Sequence, residues 1–124
     1  MQYPPAMLDP VAGQLEKYMD LLSARQRLVA SNIANADTPG YKAKDISFQK
    51  EMEKAAAMEK ADGTEGKTDF DIYESATTMP NRDGNTVNVN IEMAKVAENN
   101  LIYDTAVQLI AMKQRMKKSI LTSQ

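Results

Sequence analysis

The 124-residue chain contains no cysteine, no histidine and no tryptophan. These absences exclude disulfide scaffolds, cysteine nucleophiles, zinc fingers, haem ligation, and any triad or pH switch built on histidine. Fifteen basic and seventeen acidic residues leave a net charge of −2, which argues against a nucleic-acid binder held by overall positive charge. Most of the usual catalytic and metal-binding chemistry is therefore removed before any motif is considered.

Methionine is the residue type in surplus. Nine Met occur beside five Tyr and two Phe. Met fills irregular and adaptable packing surfaces because its side chain is unbranched and flexible. The composition therefore favours helix-on-helix contacts over an aromatic binding cleft.

The sequence also lacks targeting and membrane-spanning signals. Residues 1–14 hold no basic residue and no apolar run of signal-peptide length. No window approaches the roughly 18 apolar residues that a membrane span needs. We expect a chain made as a soluble cytoplasmic protein, which would leave the cytoplasm, if it does so, without a cleaved signal.

A long amphipathic helix is predicted near the start of the chain. Asp9 can cap it, and Pro10 stands at the first helical position, where its missing N–H costs nothing. The helix must stop near Ala36, because Pro39 disfavours helical geometry at the residue before it. Residues 38–40 then form a tight turn in which glycine supplies a positive φ. The apolar stripe of this helix consists of Val11, Leu15, Tyr18/Met19, Leu22, Gln26, Val29 and Ile33.

A second and longer helix is predicted over residues 91–121. Asn90 is a plausible cap, and Glu92 lies in the first turn, where the helix dipole favours an acid. Residues 105–124 carry four bases and no acid, which suits a helix C-terminus. A single face recurs at three- and four-residue steps. Its members are Ala94, Ala97, Leu101, Thr105, Leu109, Met112, Met116 and Ile120.

The middle of the chain differs from both ends. Residues 45–74 hold nine acids and four bases, and residues 62–67 form a polar run with two glycines. Residues 49–61 predict a helix too short to be stable in isolation. Three short alternations favour strands, each too brief to make a sheet alone. They are Ile46/Phe48, Phe70/Ile72 and Val87/Val89.

These patterns predict a mainly α fold in which two long terminal amphipathic helices form an antiparallel, coiled-coil-like hairpin. The chain divides into an N-terminal tail (1–9), the first helix with its turn (10–41), a connector (42–89) and the C-terminal helix (90–124). The connector is expected to be extended, and either partly disordered or containing a β-hairpin. Such a hairpin of helices is marginal alone and gains stability from other copies or partners, which indicates an assembly subunit.

Candidate chemistry is sparse. The serines have no histidine to activate them. Asp69 and Asp71 resemble two ligands of a calcium loop, but the glycine and the closing glutamate are missing, so solvated charge is favoured. The bases of the second helix are better explained as a solvated helix end than as a nucleic-acid or lipid site. We predict no catalytic, cofactor or metal site. These bases are Lys113, Arg115, Lys117 and Lys118.

The most distinctive segment is residues 32–41, NIANADTPGY. Asn32 and Asn35 lie on one side of the helix end, since they are three residues apart. A lone Asn at a helix terminus is usually a cap or turn residue. A buried Asn with satisfied amide bonds penalises wrong pairings and can fix the register of a helix pair. The residues alone leave these two interpretations open.

This segment resembles the signature of the bacterial flagellar axial proteins, which are rod, hook and hook-junction subunits. It follows Arg25-Gln26 and residues 28–31, LVAS, as in that family. The match of ten residues is specific, and the chain lacks the globular insertion of hook-type members. The chain is identified as a member of the basal-body rod protein family.

The second half of the chain supports the same resemblance and is similar to the proximal rod subunits. The match spans about residues 14–48 and 81–121, and the chain departs from the pattern at Asn88, where the family has Asp. A rod subunit of the related FlgC type is the nearest alternative. The similar stretch includes residues 83–87 (DGNTV), Ile91-Glu92-Met93, Glu98-Asn99, Leu101 and Tyr103.

The resemblance implies a structural protein that is not an enzyme and takes no cofactor. Subunits similar to this one pack their terminal helices in a helical tube, the rod that transmits motor torque for motility. Their place is the basal body (periplasmic in a Gram-negative cell), which they reach by type III export without signal cleavage. Implied partners are other copies, rod proteins of the FlgC, FlgF and FlgG type, the FliE adaptor, and the MS-ring and export-gate base, with no nucleic acid or small-molecule substrate.

Two groups of residues are predicted to matter for assembly. The motif and turn group sets how the chain leaves the first helix, and it consists of Asn32, Asn35, Thr38, Pro39, Gly40 and Tyr41. The packing group forms the contacts within and between subunits, and it consists of Leu15, Met19, Leu22, Val29, Ile33, Leu101, Thr105, Leu109, Met112 and Met116. A soluble helical adaptor or chaperone of a secretion system is the alternative function.

Overall fold

The computed structural model describes residues 10–61, 70–75 and 79–122. In these ranges the chain forms three helices and two strands. They are α1 (Pro10–Ala34), β1 (Lys44–Ile46), α2 (Phe48–Ala61), β2 (Ile72–Glu74) and α3 (Val89–Thr122). The predicted mainly α fold with two long terminal helices is confirmed. The predicted cap Asp9, the tail 1–9 and the polar run 62–67 lie outside the described residues.

Helices α1 and α3 pack against each other in antiparallel directions. Asn32, near the end of α1, contacts Glu92, near the start of α3. Further along, Asn99 contacts Leu22. The helices have 25 and 34 residues, or about 37 and 51 Å at 1.5 Å per residue. The last turns of α3 therefore run past Pro10, the first residue of α1.

The middle of the chain holds the predicted antiparallel strand pair, in which Ile46 lies opposite Ile72. It also holds the 14-residue helix α2. This helix lies between the two strands in the sequence, so the strands are not joined by a tight turn. The alternation at Val87 and Val89 is not a strand, because α3 begins at Val89. Phe48 likewise begins α2 and not a strand.

The small core explains why α2 is stable here although it is too short to be stable in isolation. Tyr18 of α1 and Phe48 of α2 meet edge to face, with ring centroids 4.4 Å apart and an interplanar angle of 82°. Such pairs add stability beyond the area they bury. Tertiary packing thus stabilises a helix that would be marginal alone. The core contains Leu21, Ala24 and Ile46, with Leu28, Phe48, Met52 and Phe70 packed against it.

The N-terminal cap of α3 lies two residues before the predicted one. The Asn88 side-chain oxygen accepts hydrogen bonds from the backbone amides of Asn90 at 3.0 Å and Ile91 at 3.3 Å. These are the donors that an N-cap residue satisfies. The prediction of Asn90 as the cap is therefore wrong, and the cap is Asn88, the position at which the resemblance leads us to expect Asp.

Candidate functional site

Asn32 is the buried centre of the corner between α1, β1 and α3, and none of its surface is exposed. Its amide nitrogen donates to the Lys44 carbonyl at 2.8 Å and to the Glu92 carboxylate at 3.0 Å. Its amide oxygen accepts from the Lys44 amide at 3.0 Å and from the Tyr41 hydroxyl at 3.2 Å. The side chain thus pairs with both backbone groups of Lys44, as a neighbouring strand would. Every hydrogen-bonding position of this amide is used.

Asn35 makes local contacts instead. Its amide nitrogen donates to the Ser31 carbonyl at 2.8 Å, and its oxygen accepts from the Thr38 hydroxyl at 3.1 Å. These bonds close the end of α1 and the turn after it, which is the ordinary role of Asn at a helix terminus. The two asparagines of the motif therefore do different things: Asn35 finishes the helix, whereas Asn32 joins three elements.

A third asparagine completes the corner from the far side of the chain. The buried amide of Asn85 donates to the backbone carbonyls of Asn35 at 2.9 Å and Thr38 at 2.8 Å. Its oxygen accepts from the Val87 amide at 2.7 Å. The segment before α3 is thereby fastened to the turn after α1. Sequence reasoning missed Asn85 as a functional residue, although it lies inside the matched residues 83–87.

Two glycine turns meet at the same corner. Gly40 and Gly84 have φ angles of 74° and 76°, a region that other residues rarely adopt. The Gly40 amide donates to the Asp83 carbonyl at 2.7 Å, and a Cβ on Gly84 would lie 3.7 Å from the Gly40 Cα. The predicted positive φ at Gly40 is confirmed, and the structure shows that its turn packs on a second turn of the same kind.

A row of alternating charges runs from α1 through β1 to α3. The Arg25 guanidinium lies 3.1 Å from the Asp45 carboxylate. The Lys95 ammonium lies 3.3 Å from Asp45 and 3.3 Å from Glu92. Glu92 in turn accepts from Asn32, so the row ends in the amide at the corner. Its two cations and two anions balance.

Burial of the row affects the ionisation of Asp45. Desolvation opposes the charged form, but the hydrogen bonds from Arg25 and the Ile46 amide, with the charges of Arg25 and Lys95, outweigh it. The pKa of Asp45 is therefore lowered below its usual 3.8. Asp45 stays charged in the folded chain at neutral pH.

The predicted packing residues fall on two different kinds of surface. On α1, Leu22 and Val29 are buried and Leu15, Met19 and Ile33 are half-buried. On α3, every predicted residue is exposed, and Leu101 reaches 70%. The prediction that this face fills the core within the chain is wrong, and its contact with other chains stays a prediction. These exposed residues are Leu101, Thr105, Leu109, Met112 and Met116.

The face of α3 that does pack inside the chain is polar and small. Its buried residues are Glu92, Asn99 and Ala106. The Asn99 amide donates to the Leu22 carbonyl at 3.1 Å and to the Gln26 side chain at 3.3 Å. Hydrophobic periodicity selected the more apolar face, whereas the inner face is held by hydrogen bonds. We call the exposed apolar face, residues 94, 97, 101, 105, 109, 112, 116 and 120, the outer stripe.

The described residues show no metal centre or membrane span. In residues 10–61, 70–75 and 79–122, acidic side chains do not gather in threes to hold a metal ion. In the same ranges, no helix combines the length and apolar character needed to cross a bilayer. Of the calcium-loop candidates, Asp71 pairs with Lys54 and Asp69 lies outside the described residues.

A family model and individual relatives both identify the family of this chain. The model of the family described as "Flagella basal body rod protein" matches residues 19–42. The flagellar basal body rod protein FlgB of Yersinia enterocolitica is 31% identical over 134 aligned positions, which cover 93% of this chain and 98% of that protein. The chain belongs to the FlgB family of flagellar basal body rod proteins. The predicted family and its proximal rod branch are confirmed.

Other rod proteins support the same membership. The FlgB protein of Bacillus subtilis strain 168 is 31% identical over 116 positions, covering 87% of this chain and 90% of that protein. The FlgB protein of Cereibacter sphaeroides strain ATCC 17023 is 38% identical over 99 positions, covering 73% and 77%. A rod protein is a structural part of the flagellum. The functional surface to look for is therefore one that meets other chains.

The family match and the geometry coincide in one part of the chain. Residues 19–42 contain Arg25, which begins the charge row, and Asn32, at the corner. Their partners Asp45 and Glu92 lie outside that segment. Rod-protein signature residues in the first helix thus act through residues far along the chain, which a local motif does not reveal.

Proposed function

We propose that the chain is a non-catalytic structural subunit of the proximal flagellar rod that polymerises by helix packing and transmits motor torque. The observation that carries this proposal is the outer stripe of α3. Leu101 is 70% exposed and Met116 is 57% exposed, although both belong to the helix that closes the fold. An apolar face of this length on a small chain marks a surface for other proteins.

The small core gives a physical reason for assembly. The buried apolar side chains that unite the elements are few, and the inner α1–α3 contact relies on buried polar groups. A domain of this size buries a modest share of its surface when it folds alone. Binding to neighbours stabilises the folded chain by mass action. The subunit is therefore expected to reach full stability only inside the rod.

The corner supports the torque role. Asn32, Asn85 and the charge row fix α1, β1 and α3 relative to one another through bonds with little freedom to rearrange. A shaft that carries torque needs subunits whose helices do not pivot. We propose that the motif and turn group holds the angle between α1 and α3 and so presents the outer stripe in one orientation. This group consists of Asn32, Asn35, Thr38, Pro39, Gly40 and Tyr41.

The proposed neighbours are further copies of this chain, rod proteins of the FlgC, FlgF and FlgG type, and the FliE adaptor with the MS-ring and export-gate base. The proposed place is the rod, in the periplasm of a Gram-negative cell. The proposed route is type III export through the growing flagellum. Family membership supports these proposals.

The test is assembly in cells that lack their own copy of this subunit. A tagged chain should appear in purified basal bodies and restore swimming. Leu101→Asp, on the outer stripe, should leave the fold intact by circular dichroism but be absent from basal bodies. Asn100→Asp adds the same charge to an exposed residue on the same turn, off the stripe, and should assemble normally.

The two possible failures are distinct. If the tagged parent chain stays in the cytosol in a helical adaptor complex and is absent from basal bodies, the proposed function is wrong. If Leu101→Asp enters basal bodies as well as Asn100→Asp does, the chain is a rod subunit whose outer stripe is not an interface.

A further inference from the structure

An open apolar groove of about 340 Å³ lies where the three helices meet. It is found near the start of α1, beside the middle of α3, and α2 forms its remaining wall. Hydrophobic side chains dominate its lining. They include Leu15, Tyr18, Met52, Ile102, Ala106 and Leu109.

The last turns of α3 have the shape and chemistry of an occupant. Met112, Met116 and Ile120 are 47%, 57% and 65% exposed and are spaced four residues apart, so they form one apolar ridge. Because α3 runs past the first residue of α1, this end projects from the α1–α3 pair. We call residues 112–121 the α3 end.

The charges of the groove and the α3 end are opposite. Exposed Glu16, Glu53 and Asp104 each neighbour a groove-lining residue in sequence, one on each helix, and the half-buried base Lys17 neighbours Tyr18. The α3 end has exposed Arg115 and Lys118, and residues 105–122 contain no acid. Opposite charges around an apolar contact select the partner and the direction of docking.

We propose that the α3 end of one copy of this chain docks in the apolar groove of a second copy. The inference rests on the proposed rod function and names the surfaces that meet. Donor and acceptor are different patches, so each copy retains one free end and one free groove after docking. A contact of this kind propagates head to tail and does not close into a symmetric dimer.

Sedimentation velocity of the purified full-length chain over a concentration series tests the contact directly. The parent chain should form species larger than a dimer, and added salt should weaken the association because the charges are exposed to solvent. Met116→Asp on the α3 end should weaken it about tenfold or more, as expected for a charge placed in an apolar contact. Gln114→Asp introduces the same negative charge at an exposed residue two positions away, on another side of the helix, and should associate like the parent.

The groove is tested with Thr105→Arg, which places a positive charge at an exposed residue of the lining. This variant should also fail to polymerise, whereas Gln108→Arg, exposed and outside the groove lining, should not differ from the parent. A mixture decides the direction of docking. The Thr105→Arg variant retains an intact α3 end, and the Met116→Asp variant retains an intact groove. Together the two variants should form a one-to-one dimer and nothing larger.

Several outcomes would overturn the proposal. A parent chain that stays monomeric at all concentrations, or a mixture that does not associate, rules out this contact. A Thr105→Arg monomer that unfolds more easily than Gln108→Arg shows that the chain's own residues fill the groove. If Met116→Asp enters basal bodies normally, the docking proposal fails while the rod function stands, whereas absence of the parent chain from basal bodies contradicts the rod function itself.

Discussion

The buried amide of Asn32 donates a 3.0 Å hydrogen bond to the buried carboxylate of Glu92, sixty residues further along the chain. Glu92 is in the first turn of α3, and Asn32 is in the last turn of α1. The bond therefore fixes the end of one long helix against the start of the other. Both groups have further polar partners, so removing either leaves others unpaired in a buried site.

Asn32→Ala should destabilise the chain strongly. It removes the partner of the Lys44 amide, the Lys44 carbonyl and the Glu92 carboxylate at once, and unpaired buried groups cost about 1–3 kcal/mol each. We expect a loss of about 2–4 kcal/mol in the free energy of unfolding, measured by urea denaturation. Asn35→Ala is the matched control and should lose about 1 kcal/mol, because its bonds are local and partly exposed. Equal losses for the two variants would show that Asn32 has no special role.

The charge row predicts a dependence on acid pH. The folded-state pKa of Asp45 is lowered from 3.8, so its stabilising contribution is complete above that value and is lost as pH falls below it. Asp45→Asn should reduce the free energy of unfolding at pH 7, because Arg25 and Lys95 lose a buried counter-charge. The difference between parent and variant should shrink as pH falls below about 4. A difference that stays constant from neutral to acid pH would contradict this role for Asp45.

The Gly40 turn predicts opposite effects for two glycine substitutions. Gly40→Val places a β-branched residue at a φ of 74° and should cost about 1–3 kcal/mol. Gly13→Ala, in α1 and with no atom within 4 Å of the new Cβ, should stabilise by about 0.5–1 kcal/mol. The melting temperatures should show the decrease in stability for Gly40→Val and the increase for Gly13→Ala. Assembled rods and normal swimming with Gly40→Val would show that the turn is not required.

The cap of α3 predicts a graded series at one position. Asn88→Ala should lose about 1 kcal/mol, because the Asn90 and Ile91 amides lose their acceptor. Asn88→Asp keeps the acceptor and adds a negative charge at the helix N-terminus, and should equal or exceed the parent by about 0.3–1 kcal/mol. Helicity and melting temperature of the three chains measure this. Full stability of Asn88→Ala would place the cap elsewhere.

The two long helices were predictable because their signals are strong and local. Pro10 begins α1, Pro39 prevents its extension, and the apolar period continues for about six turns in α1 and about seven in α3. The turn at Gly40 was equally readable, since few residue types adopt a positive φ. The role of Asn32 could not be predicted, because the sequence does not distinguish a buried Asn from a capping Asn until its hydrogen-bond partners are known.

The inner face of α3 shows why periodicity fails where polar packing decides. Leu101 and Met116 are more hydrophobic than Glu92 and Asn99, so any hydropathy argument places the former pair inside. In the structure the latter pair is buried: Glu92 accepts a hydrogen bond from Asn32, and the Asn99 amide nitrogen donates to the Leu22 carbonyl, although the Asn99 side-chain oxygen is buried without a partner. If the outer stripe is an interface with other chains, as we propose, a sequence interpreted as that of a monomer assigns this face to the chain's own core.

The wide sequence separation of Asn32 from Glu92, and of Asn35 from Asn85, has a consequence for the proposed export route, in which the chain passes through a narrow channel. A chain of which only the first eighty residues have emerged has no Asn85, no Lys95 and no Asn99, so the corner has nothing to close on. Helix α1 can then contact β1 and α2 but not α3, and contacts of high sequence separation form late. If the chain is exported as we propose, closure of the corner is therefore delayed until almost the whole subunit has passed through the channel.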